Sequence, residues 1–214
     1  MENSDILNQF PTLSLTERDR RWAVARQVMD ECGVQALIVA GLRSRENLDA
    51  WITNEALLGL AVVPREGEPM YITPGHIRIL GRYDSVGSQR ERWVRDVRFG
   101  DPAGNLRDFL TQHRLTRARV GVVGLDPVFP TETLGIIPHA GWGQITQALP
   151  DVEFVNVSMR FAHAILPRSA EELVLLRRAA AIGEVATRAF VEKAVPGARD
   201  SEAFGAVMQA IYAL

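Results

Sequence analysis

Leu166 to Leu214 reads LPRSAEELVLLRRAAAIGEVATRAFVEKAVPGARDSEAFGAVMQAIYAL, and this stretch decides how the rest of the chain is read. Ser169 and Glu172 have the Ser-x-x-Glu spacing of a capping box, in which each side chain satisfies an otherwise orphan amide of the first helical turn. The spacing predicts a long helix from Ala170 to Val195, a break at Pro196-Gly197, and the acidic start of a second helix beyond it. Apolar residues surround the first helix rather than line one stripe: Leu173, Leu176, Ala179, Ala180, Gly183, Ala186 and Phe190, widened by Val174, Leu175 and Ile182. Burying one Leu or Phe side chain is worth roughly 1.5–3 kcal/mol. The helix is therefore expected to pack on the preceding domain or on another copy of the chain, or to be disordered.

Working upstream, the chain alternates helical and strand patterns. Ser14 with Glu17, or Thr16 with Asp19, offers an N-cap, and Trp22, Ala25, Val28, Met29 and Cys32 follow at helical spacing until Gly33 stops the helix. Ala36 to Ala40 (ALIVA) is a continuous apolar run, the mark of a strand buried on both faces. Trp51 to Thr53 reads as a short second strand. Ala56 to Val63 and Met70 to Thr73 flank PREGEP and make a hairpin. Trp93 to Phe99 is another strand, Leu106 to His113 a short helix, and Arg119 to Val123 a strand. Thr131 to Leu149 holds one or two short helices, Val152 to Val157 is a last strand, and Ser158 to Leu166 is a link. The expectation is an α/β fold, a mixed β-sheet flanked by helices and followed by a C-terminal helical segment. The natural division falls between residues 1–166 and residues 167–214.

Composition sets broad limits. The 214 residues are 47% hydrophobic and 23% charged, an ordinary globular balance. A net charge of −2 gives no electrostatic reason to expect nucleic acid or an anionic membrane as partner. Cys32 is the single cysteine, so a reducing compartment is the default, and it reads as a small buried hydrophobe rather than a nucleophile. The polar N-terminus lacks a signal-peptide pattern and the longest apolar run is too short to span a membrane, which makes a cytoplasmic protein the expectation.

The motif Lys/Arg-Ser-x-Glu-Glu-Leu-x-Leu-Leu-Arg-x-Ala-Ala, present here as Arg168 to Ala180, followed by the Pro196-Gly197 turn, resembles the entry into the pita-bread metallohydrolase domain. That domain belongs to the creatinase, prolidase and Xaa-Pro aminopeptidase family. The resemblance continues upstream through RWAVARQVMDECGVQALIVA, NLDAWITN, LAVVPREGEPMYITP, ARVGVVGLD and LPDVEFVNVS, in the order of that family's smaller N-terminal domain. It implies a creatinase/prolidase-type N-terminal domain over residues 1–166 and a truncated start of the metallohydrolase domain over 167–214. In such proteins two divalent metal ions, held by two aspartates, a histidine and two glutamates, activate a bridging water and polarise the scissile carbonyl. Those ligands lie downstream of the Pro-Gly turn, so the resemblance implies two metal ions in the full-length parent, none in this chain, and no catalytic residue or activity here. It also implies a homodimer, with a peptide or small-molecule substrate only where the larger domain is present. The alternative is a stand-alone, non-catalytic peptide- or protein-binding module.

One segment carries a site expectation. The family's Asn-x-x-Tyr-Leu-Thr-Gly motif precedes a loop that can reach a partner's active site. It resembles Asn47, Trp51, Ile52, Thr53 and Asn54 here, with one extra residue and with Asn54 in place of the glycine. If the role carries over, Trp51, Asn54 and Glu55 contact substrate; otherwise the segment is a capped strand with Trp51 packed in the core. Other patterns carry less. Asp19 and Asp30 share the spacing of the family's metal aspartates but read as two solvated carboxylates on a helix. GVVGLD (Gly121 to Asp126) lacks a full dinucleotide fingerprint and reads as a strand-to-loop turn. His76, His113, His139 and His163 are scattered, and His76, Arg78 and Arg82 read as an exposed helical face.

Overall fold

The run ALIVA forms strand β1 (Ala36–Ala40), and every one of its residues is buried. A computed structural model of the protein describes residues 6–8, 10–41, 47–55, 57–74, 92–127 and 135–214. Helix α1 (Leu15–Cys32) precedes β1, with the Ser14 side chain accepting from the Glu17 amide at its start and Gly33 in the left-handed conformation at its end. After β1 come α2 (Leu48–Thr53), β2 (Leu60–Pro64), β3 (Met70–Thr73), β4 (Asp96–Phe99) and α3 (Pro102–Gln112). They are followed by β5 (Arg119–Val123), α4 (His139–Ala148), β6 (Glu153–Asn156) and α5 (Ser158–Ala164).

The strands make one six-stranded sheet in the order β4-β3-β2-β1-β5-β6. Strand β2 runs antiparallel to both neighbours, whereas β1, β5 and β6, and likewise β3 and β4, pair in parallel. Side chains alternate across a strand, so Ile38, Val62, Ile72 and Val122 face one side, where Leu106, Phe109 and Leu110 of α3 and Ile145 of α4 cover them. Helices α1, α2 and α5 pack on the other side. This is the mixed sheet flanked by helices that the alternation predicts.

Three local expectations are corrected. Trp51 to Thr53 is not a strand but the end of helix α2. A three-residue apolar run carries no period of its own, and the carbonyls at this helix end find donors on α1, as described below. Ser158 to Leu166 is not a plain link, since Ser158 to Ala164 form α5 and bury Phe161 and Ala162. Cys32 is half-buried rather than fully buried. Strand starts also shift inward: β2 begins at Leu60, β4 at Asp96 and β6 at Glu153. Ala56, residues 75–91 (with His76, Arg78 and Arg82) and residues 128–134 lie outside the described residues.

The chain divides into two compact units, one of Ser14–Pro167 and one joining Met1–Leu13 with Arg168–Leu214. In the second unit, helices α6 (Ala170–Lys193) and α7 (Asp200–Tyr212) pack on each other. The capping box of α6 is formed in full: the Glu172 amide donates to Ser169 Oγ at 3.1 Å, and the Ser169 amide donates to Glu172 Oε2 at 2.8 Å. Within this unit the Arg178 guanidinium lies 4.4 Å from the centroid of the Phe10 ring and donates to the Leu7 carbonyl oxygen. Helix α6 is ordered, yet Leu173, Leu176 and Phe190 on it are exposed, as are Phe204 and Tyr212 on α7.

Candidate functional site

The segment from Asn47 to Glu55 is built around the end of α2. Its last carbonyls are satisfied by side chains of α1: Arg21 Nη1 donates to the Trp51 oxygen at 3.0 Å, and Trp22 Nε1 donates to the Ile52 oxygen at 3.0 Å. Such donors close a helix end that would otherwise leave buried carbonyls without partners. Asn54 follows with φ 54° and ψ 27°, and its amide donates to the Ala50 oxygen at 2.8 Å. Asparagine is one of the few side chains that tolerate this left-handed conformation. The turn for which the family motif uses glycine is therefore available to Asn54. The Glu55 amide donates to Thr53 Oγ1 at 3.2 Å.

The structure separates the three predicted contact residues by depth. Trp51 is only 7% exposed; its ring meets Phe161 edge-on at 5.8 Å and lies 5.2 Å from the Arg21 guanidinium. Among the described residues its indole N–H has no acceptor. Asn54 and Glu55 are half-buried at the helix end. Trp51 thus supports the segment from inside, and Asn54 and Glu55 are the members nearer the surface.

Two buried polar clusters surround this segment, and sequence reasoning missed both. In the first, Asp49 is 1% exposed and accepts a hydrogen bond from the Tyr71 hydroxyl at 2.8 Å. Burial pushes its carboxyl up from 3.8 to about 6, against the opposing pull of Tyr71 and of the backbone amides of Ala50 and Gly59. Burial and the neighbouring Asp49 carboxylate in turn push the Tyr71 phenol well above its ordinary value. The carboxylate also occupies the place of a missing side chain, because a Cβ at Gly41 would come within 1.5 Å of Asp49 Oδ1. A signal existed in the sequence: Tyr71 sits in a fully buried strand, and a buried tyrosine hydroxyl usually finds a partner.

In the second cluster, Glu17 (3% exposed) and Arg21 (5% exposed) form a buried ion pair at 2.7 Å. Arg20 adds two further hydrogen bonds to the Glu17 carboxylate. The Arg21 guanidinium lies 5.2 Å from the ring centroids of both Trp51 and Trp93. A buried ion pair offsets its desolvation only when well hydrogen-bonded, and here the Trp51 carbonyl and the two aromatic faces also meet the guanidinium.

The remaining sequence candidates are not assembled into a site. Gly124 takes φ 110°, and its amide is occupied by Ser158 Oγ at 2.9 Å, so the GVVGLD turn serves the sheet end rather than a phosphate. Asp19 and Asp30 are exposed. His113, His139 and His163 lie at the end of α3, the start of α4 and the last turn of α5. Among the described residues, no group of three or more His, Cys, Asp or Glu side chains could hold a metal ion. Nor is any helix among them long and apolar enough to cross a membrane.

No family model matches the sequence, and no curated protein matches it. Solved structures do match in fold, a mixed β-sheet flanked by helices. Matching chains include prolidases, an Xaa-Pro dipeptidase and an X-Pro aminopeptidase. Dipeptidase PepE from Mycobacterium ulcerans is 19% identical with a TM-score of 0.61, over 94% of this chain and 50% of that one. The Xaa-Pro dipeptidase from Bacillus anthracis is 14% identical with a TM-score of 0.65, over 92% and 49%. The prolidase from Pyrococcus horikoshii is 13% identical with a TM-score of 0.64, over 91% and 48%. Identities this low establish a shared fold. The chain spans about half the length of the solved structures it matches.

Proposed function

We propose that this chain is the N-terminal region of an Xaa-Pro peptidase-like hydrolase, serving dimer assembly and substrate access, with the chemistry carried by a metal-binding domain that these residues do not include. The fold supports this reading: 94% of the chain aligns with a dipeptidase, and the alignment takes in 50% of that enzyme. The described residues do not fit a pair of divalent metal ions, so no step of hydrolysis is assigned to them. Asn54 and Glu55 are the candidates to reach toward a partner's substrate. Trp51 acts with them through packing, fixed by Arg21 and Phe161. The proposal carries with it a cytoplasmic homodimer.

The test uses the purified 214-residue chain, supplied with manganese or cobalt and an Xaa-Pro dipeptide. The expected result is no release of the N-terminal residue and a dimer by sedimentation equilibrium at micromolar concentration. Release in proportion to added protein would overturn the catalytic part of the proposal. A monomer at every concentration would overturn the assembly part.

A further inference from the structure

A cavity of about 490 Å³ opens within the unit Ser14–Pro167. It lies at the carboxyl ends of β1, β3 and β4, bordered by Gly41, Thr73 and Gly100, which follow or close those strands. Ile145 of α4 and Pro102 of α3 contribute to the other walls. At this edge the chain leaves β1 toward α2 on one face of the sheet, whereas after β4 it passes to α3 on the other. Although β1 and β4 are not neighbours in this sheet, a crevice outside the carboxyl ends of strands is a common place for a ligand in open α/β sheets. The volume falls within the ~300–1,000 Å³ usual for small-molecule sites.

The lining states the ligand's chemistry. Among the described residues no lining side chain is charged, and Thr73 supplies the one hydroxyl, which already donates to the Leu58 carbonyl oxygen at 2.9 Å. The Gly41 amide is likewise used, donating to the Gly59 oxygen at 3.1 Å, and the Gly100 amide donates to the Thr73 oxygen at 3.0 Å. Among the described lining residues a charged ligand would find no charged side chain to replace its hydration. Ordered water needs several polar partners and is poorly held for the same reason.

We propose that this cavity is a binding site for a small, neutral, apolar molecule of aromatic or medium-chain aliphatic type. Gly141 provides a way to close it: this residue of α4 lines the cavity, and a Cβ built on it meets nothing within 4 Å. Gly143, on the same helix, also has open space around a Cβ but does not line the cavity.

The probe is N-phenylnaphthylamine, neutral and fluorescent in apolar surroundings, titrated into the purified chain. The wild type is expected to bind it saturably at one site. Gly141→Phe should weaken binding by about tenfold or more, equivalent to about 1.4 kcal/mol, and Gly143→Phe should leave it unchanged. Both variants should keep helical circular dichroism, since a Cβ at either position meets nothing within 4 Å. The sulfonated analogue, anilinonaphthalene sulfonate, should bind at least about tenfold more weakly at the site that Gly141→Phe closes. The proposal is overturned by absence of saturable binding, by binding that survives Gly141→Phe, by equal loss in both variants, or by a sulfonated probe that binds this site as tightly as the neutral one. None of these outcomes depends on whether the peptidase-like reading is correct.

Discussion

Replacing Asp49 with asparagine removes a buried ionisable group while keeping its shape. The amide oxygen can still accept from the backbone, and the amide nitrogen can donate to the Tyr71 hydroxyl oxygen. In the folded protein Asp49 is held at about 6 against an ordinary 3.8, and at about 1.36 kcal/mol per pH unit this gap amounts to about 3 kcal/mol. The sign follows from proton counting. Between about pH 4 and pH 6 the folded state keeps a proton that the unfolded chain has already lost, so this group's contribution to stability falls as pH rises and levels off above the folded value. The amide that replaces the carboxyl in the variant has no proton to lose. Its stability relative to wild type is therefore expected to rise by up to about 3 kcal/mol from about pH 4 to pH 7. Urea unfolding followed by tryptophan fluorescence measures this directly, because Trp22, Trp51, Trp93 and Trp142 all lie in the unit Ser14–Pro167. Taking variant minus wild type cancels the other carboxylates that titrate in the same range. A difference that stays flat across that range, or that slopes the other way, would refute the reasoning.

Three further changes have defined outcomes. Gly41→Ala drives a methyl group into the Asp49 carboxylate, whose oxygen lies 1.5 Å from the Cβ position; the expected loss is about 1–3 kcal/mol or more by the same urea assay. Arg21→Met leaves Glu17 buried with Arg20 still bonded to it, and also strips a donor from the Trp51 carbonyl. A loss toward the lower end of about 3–5 kcal/mol is expected, accompanied by a change in tryptophan emission. Ser169→Ala removes half of the α6 capping box. It should cost about 1 kcal/mol, read as lower helical content at elevated temperature by circular dichroism, with fluorescence of the other unit unchanged.

Much of the fold was legible because its signals are local. A helix stop at Gly33, a five-residue apolar strand and a Ser169–Glu172 box each depend on contacts within about four residues, and each stands where the sequence puts it, while of the two caps offered for α1 it is Ser14 that forms. The hairpin of β2 and β3 was legible for the same reason, with PREGEP marking its turn. The family resemblance rested on the order of such pieces, and the structural likeness to prolidases and Xaa-Pro dipeptidases agrees with it at the level of fold.

The candidate site was legible only as a stretch of chain. That Asn47 to Glu55 is a candidate segment could be read from a motif, but its conformation could not. WIT suits a strand or a helix equally, and helix α2 prevails because Arg21 and Trp22, both about thirty residues earlier, supply donors for its last carbonyls. Trp51 could equally have been a surface contact or a core residue, and Phe161 and Arg21 place it inside. Asp49 and Tyr71 are 22 residues apart, and nothing local pairs them. The sequence by itself therefore determined the stop of α1 at Gly33, the buried strand β1, the β2–β3 hairpin and the capping box of α6, because those properties are set by neighbours along the chain. It did not determine the helical state of Trp51–Thr53 or of Ser158–Ala164. The tertiary structure alone decided which polar groups share a buried space, and it made the 490 Å³ cavity. Burial is a property of residues brought together from distant parts of the chain, and dielectric, pairing and empty volume all follow from it.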